Sequence, residues 1–180
     1  MRSAANILTY PMRYGINCKL ISKINYLRFE FQVHGIEWMY NNYTKRLGCI
    51  LADDMGLGKT VQVSVLIRCL QRTQGLRDTV IIAPHSLLRY WESEYRRWLC
   101  PGIFTNIVIV RSKNDTFIND KFRFGSRIQR IIIMTSDAFD NFYHMLERNL
   151  RVDLLVIDEG HKAKNVDTKL RKAIKAFNAG

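Results

Sequence analysis

The feature that most constrains the fold is the stretch from Leu47 to Thr60, where an apolar run, a loop and a helical pattern follow one another. The apolar run, Cys49 to Ala52, predicts a strand. A strand, a glycine-containing loop and a helix in this order form a cradle for phosphate groups. In such a cradle Lys59 would place a positive charge at the β- and γ-phosphates, and the Thr60 hydroxyl would contact Mg²⁺.

The loop departs at one position from the general phosphate-loop pattern. That pattern has a glycine six residues before the lysine, and Asp53 stands there instead. The remaining glycines, Gly56 and Gly58, can adopt backbone angles that turn successive N–H groups toward an anion. From these residues alone, a phosphate loop and an accidental Gly-Lys-Thr both remain open.

The full string from Asp53 to Thr60 is more specific than the general pattern. Asp-Asp-Met-Gly-Leu-Gly-Lys-Thr resembles the ATP-binding motif of the SWI/SNF family of DNA-translocating ATPases, a branch of the superfamily 2 helicases. The resemblance implies ATP and Mg²⁺ as cofactors, a catalytic role for Lys59 and a metal-binding role for Thr60. The nucleotide contacts that it implies in this loop are Asp54, Met55, Gly56, Leu57, Gly58, Lys59 and Thr60.

A second motif precedes the loop. Phe29 to Tyr43 has apolar residues at roughly helical spacing and predicts a helix. Its Gln-x-x-Gly-Ile-x-Trp pattern, which begins at Gln32, resembles the adenine-recognition motif of the same family. A glutamine amide can donate and accept at once along one edge of adenine. The resemblance therefore implies that Gln32 binds the base, and a surface glutamine on an amphipathic helix is the alternative.

An acidic motif follows the apolar run Val152 to Ile157, which predicts a buried strand. Two adjacent carboxylates at a strand end can divide two tasks: Asp158 would hold Mg²⁺, and Glu159 would orient and polarise the attacking water. Asp-Glu-Gly-His is similar to the box of the Cockayne-syndrome-B-like and recombination-repair branches. That resemblance implies that His161 couples the ATP state to a second lobe.

Two turns that follow predicted strands resemble the DNA contacts of this family. The segment from Ala83 to Glu94 matches Ala-Pro-x-Ser-Leu-Leu-x-x-Trp-x-x-Glu, and a Thr-Ser pair follows the strand from Arg130 to Met134. The residues that the resemblance places against the DNA backbone are Pro84, Ser86, Thr135 and Ser136.

Three further predictions concern packing. Trp91 and Trp98 lie at core spacing and are interpreted as core residues rather than stacking platforms. Asp137 is expected to cap a helix from Ala138 to Leu146. The basic segment 111–130 contains interleaved phenylalanines, and a solvated helix is favoured there over a nucleic-acid surface.

Composition limits the partners. The 180 residues include 28 Lys and Arg against 16 Asp and Glu, a net charge of +12 that favours a polyanionic partner. The resemblance implies double-stranded DNA, with chromatin or repair and transcription complexes, in the nucleus. The four cysteines form no zinc or disulfide pattern, and no run of 18 apolar residues predicts a membrane span.

The sequence thus predicts an α/β fold, a parallel-sheet P-loop (RecA-like) three-layer sandwich. Residues 1–26 are expected to be a weakly ordered lead-in, and residues 27–180 a first RecA-like lobe that is truncated before the Leu-Thr-Gly-Thr-Pro (motif III) strand. The expected function is the ATP-binding lobe of an ATP-dependent DNA translocase, a chromatin remodeller or DNA-repair ATPase, with weak hydrolysis by this chain alone. An inert DNA- or partner-binding fragment is the alternative, and a small-molecule P-loop kinase is disfavoured.

Overall fold

The computed structural model describes residues 29–97, 105–112, 115, 128–160 and 169–177. These residues form two compact units that divide after Gln74, and the predicted lead-in, residues 1–26, lies outside the described part. Within the described ranges no helix has the length and apolar character needed to cross a bilayer. The helices are α1 (Glu30–Thr44), α2 (Lys59–Thr73), α3 (Leu88–Arg97), α4 (Ser136–Asn149) and α5 (Lys169–Ala176), and the strands are β1 (Asp78–Ile82), β2 (Thr105–Val110), β3 (Gln129–Met134) and β4 (Val152–Ile157).

The first unit is built on α1 and α2, which pack against each other. The buried side of α1 includes Ile36, Met39 and Tyr40. The Tyr40 hydroxyl donates to Thr73 Oγ1 at 3.0 Å and accepts from Gln74 Nε2 at 2.8 Å. A polar contact at the end of α2 therefore fixes the register between the two helices.

The strand predicted for Cys49 to Ala52 is wrong. Residues 47–54 have no regular secondary structure, and the exposed fractions of Leu47 and Ile50 are 57% and 84%. A strand needs a neighbour that accepts and donates the hydrogen bonds of its main chain. Among the described residues no strand pairs with this segment, so its apolar composition alone does not make it extended.

The second unit contains a parallel sheet of four strands in the order β2-β3-β1-β4. All five residues of β1 are buried, as expected for a central strand that is covered on both faces. α4 and α5 cover one face of the sheet. Their shared core consists mainly of Val80, Ile82, Val108, Val110, Ile132, Met134, Ala138, Phe139, Leu146, Ala173 and Phe177.

The carboxyl ends of these parallel strands lie at one edge of the sheet. Two main-chain hydrogen bonds continue the ladders beyond the strands: Ala83 donates to the Met134 carbonyl at 2.9 Å, and Asp158 donates to the Ile82 carbonyl at 2.8 Å. The segments that follow β1, β3 and β4 are therefore held side by side. This edge, which we call the carboxylate edge, carries the predicted DNA turns and the Asp158-Glu159 pair.

The opposite edge of the sheet is held by a buried ion pair. Arg130 donates through Nε and Nη2 to the two carboxylate oxygens of Asp78, at 2.6 and 2.9 Å. The side chains are 12% and 4% exposed. Such a bidentate pair fixes β1 against β3, because both groups are oriented by two parallel bonds.

Candidate functional site

The phosphate loop, residues 53–60, turns on two glycines in the left-handed region. Gly56 has φ 84° and Gly58 has φ 79°, a region that side chains disfavour. Gly58 is the residue from which α2 starts, and a Cβ atom there would lie 2.6 Å from Nε2 of Gln32. The N–H groups of the first turn of α2 are thus presented at the loop, as an anion site requires.

The side chain of Lys59 is hydrogen-bonded to the main chain at the start of the loop. Its ammonium donates to the carbonyl oxygens of Asp53 at 2.8 Å and Asp54 at 3.0 Å. An ammonium has three donors, so these two bonds leave capacity for a phosphate oxygen. Thr60 follows Lys59 in the sequence and lies in the first turn of α2, where it is partly exposed.

Gln32 holds the loop from α1. Its side chain is 7% exposed, and Nε2 donates to the Leu57 carbonyl at 3.0 Å. The structure therefore brings together Gln32 and the loop, as the two motifs required. The amide has a second N–H and an acceptor oxygen, which is the capacity that an adenine edge would use, and adenine binding stays a prediction.

Gln62 contacts the loop, and it was not identified from the sequence. It is fully buried on α2, and its Nε2 donates to Oδ2 of Asp53 at 2.7 Å. Its Oε1 has no hydrogen-bond partner among the described residues and lies where a Cβ atom on Gly35 would stand. Asp53, the residue that departs from the general pattern, is thus an acceptor for Gln62, and a glutamine among the apolar residues of α2 was the available signal.

At the carboxylate edge, Asp158 is oriented by three hydrogen bonds. Its N–H continues the ladder to Ile82, Oδ2 accepts from the indole Nε1 of Trp91 at 2.8 Å, and Oδ1 accepts from the Glu159 N–H at 2.9 Å. Glu159 has φ 55°, a conformation that is uncommon for residues other than glycine and that recurs at functional sites. The geometry therefore sets two adjacent carboxylates just beyond a paired strand.

Trp91 was predicted to be a core residue, and it is 2% exposed. That interpretation omitted its N–H group. A buried indole N–H needs an acceptor, and here the acceptor is the aspartate of the acidic motif. The need for a partner was readable from the sequence, but the identity of that partner was not, since Trp91 and Asp158 are 67 positions apart along the chain.

The turn after β1 is presented to solvent. Pro84 is extended, residues 85–87 form a short 3₁₀ helix, and the Leu87 N–H donates to the Pro84 carbonyl at 2.8 Å. Ser86 is exposed. Its hydroxyl is therefore accessible to a phosphate group, and the DNA contact stays a prediction.

The Thr-Ser turn after β3 differs from that prediction in part. Thr135 is 8% exposed; its hydroxyl accepts from the Ala138 N–H and donates to the Arg111 carbonyl, both at 3.1 Å. The cap predicted at Asp137 is therefore wrong: Thr135 caps α4, because its extended backbone directs the hydroxyl at the third helical N–H. Ser136 is the more exposed member of the pair.

The oxygen donors present suit Mg²⁺. This ion prefers hard oxygen ligands and is usually held by one or two carboxylates together with substrate phosphates and water. The Asp158 carboxylate and the Thr60 hydroxyl have that chemistry. Among the described residues, no group of three His, Cys, Asp or Glu side chains could hold a metal ion by itself. His161 lies outside them.

Comparison with known proteins gives the family. Residues 31–180 match the family model described as SNF2-related domain. The chain is 33% identical over 159 residues to "DNA excision repair protein ERCC-6-like" of Danio rerio and 34% identical over 168 residues to "DNA repair and recombination protein RAD54" of Oryza sativa subsp. japonica. These alignments cover 84% and 86% of this chain but 10% and 17% of the relatives, so the chain spans only a small part of their length.

Among solved structures, the chain is similar to the Sulfolobus solfataricus SWI2/SNF2 ATPase core in complex with dsDNA. The TM-score is 0.65 at 28% identity, over 83% of this chain and 29% of that one. This match confirms the predicted α/β parallel-sheet, RecA-like fold. The resemblance stated from the phosphate loop and the acidic motif is confirmed as well, and the chain belongs to the SNF2-related domain family.

Proposed function

We propose that this chain supplies the ATP-binding lobe, or most of it, of an enzyme that hydrolyses ATP to move on duplex DNA. The observation that carries the proposal is the phosphate loop, in which a left-handed Gly58 starts α2 and Lys59 lies over the loop carbonyls. The lobe corresponds to residues 27–180, preceded by the lead-in 1–26. Relatives named for chromatin remodelling and DNA repair support a nuclear role of that kind.

The nucleotide would be held mainly by the loop. Lys59 and the first N–H groups of α2 would bind the phosphates, Thr60 and Asp158 would hold Mg²⁺, and Gln32 would bind adenine. Mg²⁺ supplies charge neutralisation at the phosphates when it is bound. Glu159 would orient the attacking water.

Duplex DNA is the proposed track. The net charge of +12 attracts a polyanion, and Pro84, Ser86 and Ser136 offer exposed or partly exposed backbone and hydroxyl groups on the carboxylate edge. Thr135 would act there through its N-cap, which fixes the position of Ser136. Contacts of this kind position a protein on DNA without reading its sequence.

Hydrolysis by the chain alone should be weak. In this class of enzyme an arginine finger contributes on the order of 10³ to 10⁵ in rate, and the family places it in a second lobe. Residues 47–54, which lead into the loop, also have no strand partner within the described part of the chain.

The test is turnover of radiolabelled ATP by the purified chain, with and without duplex DNA, beside Glu159→Gln and the charge-matched control Glu37→Gln, at a partly exposed position of α1. We expect trace turnover that Glu159→Gln lowers by about 10²-fold or more without loss of nucleotide affinity, as for loss of a group that acts on the attacking water. Glu37→Gln should change neither.

Two results would contradict the proposal. Residual turnover that is identical in Glu159→Gln would remove the assigned role of the acidic motif. Salt-sensitive binding to duplex DNA with no nucleotide binding at all would favour the inert DNA-binding fragment instead.

A further inference from the structure

In the second unit, a buried indole is hydrogen-bonded to the aspartate of the acidic motif: Trp91 donates to Asp158. Nε1 and Oδ2 are 2.8 Å apart, and the indole is 2% exposed. Packing alone would be satisfied by any large apolar side chain. The buried N–H has instead been given a charged acceptor, and hydrogen bonds to charged groups are stronger and more directional than neutral ones.

This bond restricts the orientation of the carboxylate. Oδ2 is held by Trp91 and Oδ1 by the N–H of Glu159, so rotation of the carboxylate would break both bonds. A carboxylate has about four lone-pair sites, which leaves acceptor capacity on each oxygen. The two donors therefore fix the group without exhausting it, as groups that orient metal ligands do.

The same helix connects this carboxylate to the exposed turn after β1. The turn runs through Ser86, α3 begins at Leu88, and Trp91 lies one turn into that helix. At about 1.5 Å per residue, the helical rise between Leu88 and Trp91 is only about 4 to 5 Å. A displacement of the turn therefore reaches the indole through less than two turns of regular backbone.

We propose that Trp91 is a positioning residue for Asp158, and that it transmits engagement of the Pro84–Ser86 turn by duplex DNA to the carboxylate that would hold Mg²⁺. The inference rests on the proposed function and deepens it. It supplies a specific physical link between the DNA-contacting turn and the metal-binding carboxylate.

The first experiment measures the affinity of the whole chain for a fluorescent ATP analogue as Mg²⁺ is varied, and again in EDTA. In Trp91→Phe the Mg²⁺ concentration at half-saturation should rise about tenfold, since loss of a group that orients a metal ligand typically costs 10- to 100-fold in metal affinity. Nucleotide affinity in EDTA should stay unchanged. Tyr90→Phe, an exposed change on the same helix, should leave both values unaltered.

Loss of packing must be separated from loss of the bond. Replacement of Trp91 by 3-benzothienylalanine keeps the ring volume and removes only the N–H donor. This variant should melt close to the unmodified chain and still show the raised Mg²⁺ requirement. A normal Mg²⁺ requirement in the isosteric variant would overturn the inference.

The second experiment follows the ¹⁵N-labelled indole resonance that disappears in Trp91→Phe. A short DNA duplex should shift this resonance, and Ser86→Glu, which sets a negative charge against the phosphates, should abolish the shift. An indole resonance that does not respond to saturating duplex would contradict the transmitted effect.

Different results would contradict the proposed function and the inference about Trp91. If the unmodified chain binds no nucleotide in Mg²⁺, the proposed function and the inference fall together. If it binds and the Mg²⁺ requirement is the same with and without the Trp91 N–H, the inference alone is wrong.

Discussion

The phosphate loop and the carboxylate edge present functional groups by different physical means. The loop follows a segment without secondary structure and is held by three side chains, those of Gln32, Lys59 and Gln62, which bond to loop groups. The carboxylate edge extends from strands whose ladders continue past their ends to Ala83 and Asp158. Loop geometry therefore depends on single polar bonds, and edge geometry depends on the sheet.

This difference predicts separable consequences of mutation. Substitutions that weaken the sheet should lower the free energy of unfolding of the whole second unit. Substitutions around the loop should lower nucleotide affinity more than they lower stability.

The largest effect is expected at the ion pair that holds β1 against β3. Arg130→Leu leaves the buried Asp78 carboxylate without its guanidinium, and removal of one partner of a buried pair costs about 3 to 5 kcal/mol. Chemical denaturation should show this loss. Arg151→Leu is the matched control, because Arg151 is 85% exposed and 3.8 Å from its carboxylate partner; its effect should stay within about 0.5 kcal/mol. Equal effects in the two variants would contradict the role of the sheet.

The next effect is expected at Gly35, a residue of α1 that lies beside Gln62. Gly35→Ala places a methyl group against Gln62 Oε1, so the end of that side chain must shift, which disturbs its hydrogen bond to Asp53. We expect a loss of about 1 to 3 kcal/mol in stability from overpacking and about a tenfold loss of nucleotide affinity. Fluorescence titration and thermal unfolding measure the two quantities.

A double variant separates these two losses. Gly35→Ala with Gln62→Ala removes the collision and should recover stability, but affinity should stay low because Asp53 still lacks its donor. Gly48→Ala is the control, since nothing lies within 4 Å of a Cβ at that glycine. Full recovery of affinity in the double variant would show that the Gln62–Asp53 bond does not position the loop.

A smaller effect is expected at the cap of α4. Thr135→Val removes the hydroxyl that accepts from Ala138 and should cost about 1 kcal/mol, the usual loss for an N-cap. Ser136→Ala should cost less than about 0.5 kcal/mol. In duplex binding the order should reverse, with Ser136→Ala the weaker binder at low salt. A larger loss of DNA affinity from Thr135→Val at unchanged stability would restore the direct contact predicted for Thr135.

The smallest effect is expected for the contribution of Glu92, on α3, to the pH dependence of stability. Although desolvation opposes it, hydrogen bonding from Arg96 and Arg89 lowers the pKa of Glu92. A carboxylate with a lowered pKa stabilises the fold above its unfolded-state pKa, and this contribution is lost as the pH falls through the folded-state value. Both arginines are largely exposed, so the change is small. Glu92→Gln should therefore lower stability slightly at pH 7, flatten the stability profile below about pH 4.5 and match the unmodified chain at the acid end of that range.

Much of the fold was readable from sequence. Strands β3 and β4 were predicted from the apolar runs at Arg130 to Met134 and Val152 to Ile157, and the second was placed at its observed bounds. These runs form strands because each is hydrogen-bonded to a neighbouring strand of the sheet. The run Cys49 to Ala52 has similar composition but no partner among the described residues, and pairing cannot be read from composition.

Site residues could be predicted from the sequence only where the residue type by itself indicates the role. The glycines and Lys59 lie in the loop and Asp158 lies at the strand end, as their motifs indicated, and their roles stay predictions. Other roles depend on a partner that is distant in sequence or on one local rotamer. The residues with such roles are Gln62, Thr135 and Trp91. A single sequence shows that a buried amide, hydroxyl or indole needs a partner, but not which one.

The measurement that tests the central claim most directly is the affinity of the chain for a fluorescent ATP analogue in Mg²⁺, compared between the unmodified chain, Lys59→Ala and Arg72→Ala. Arg72 is an exposed cation in the last turn of the same helix, so it controls for net charge. Loss of charged hydrogen bonds worth about 1.5 to 3 kcal/mol each predicts a fall of about 10²-fold in Lys59→Ala and no change in Arg72→Ala. Equal affinities in all three proteins would contradict the assignment of residues 53–60 as a nucleotide-binding loop.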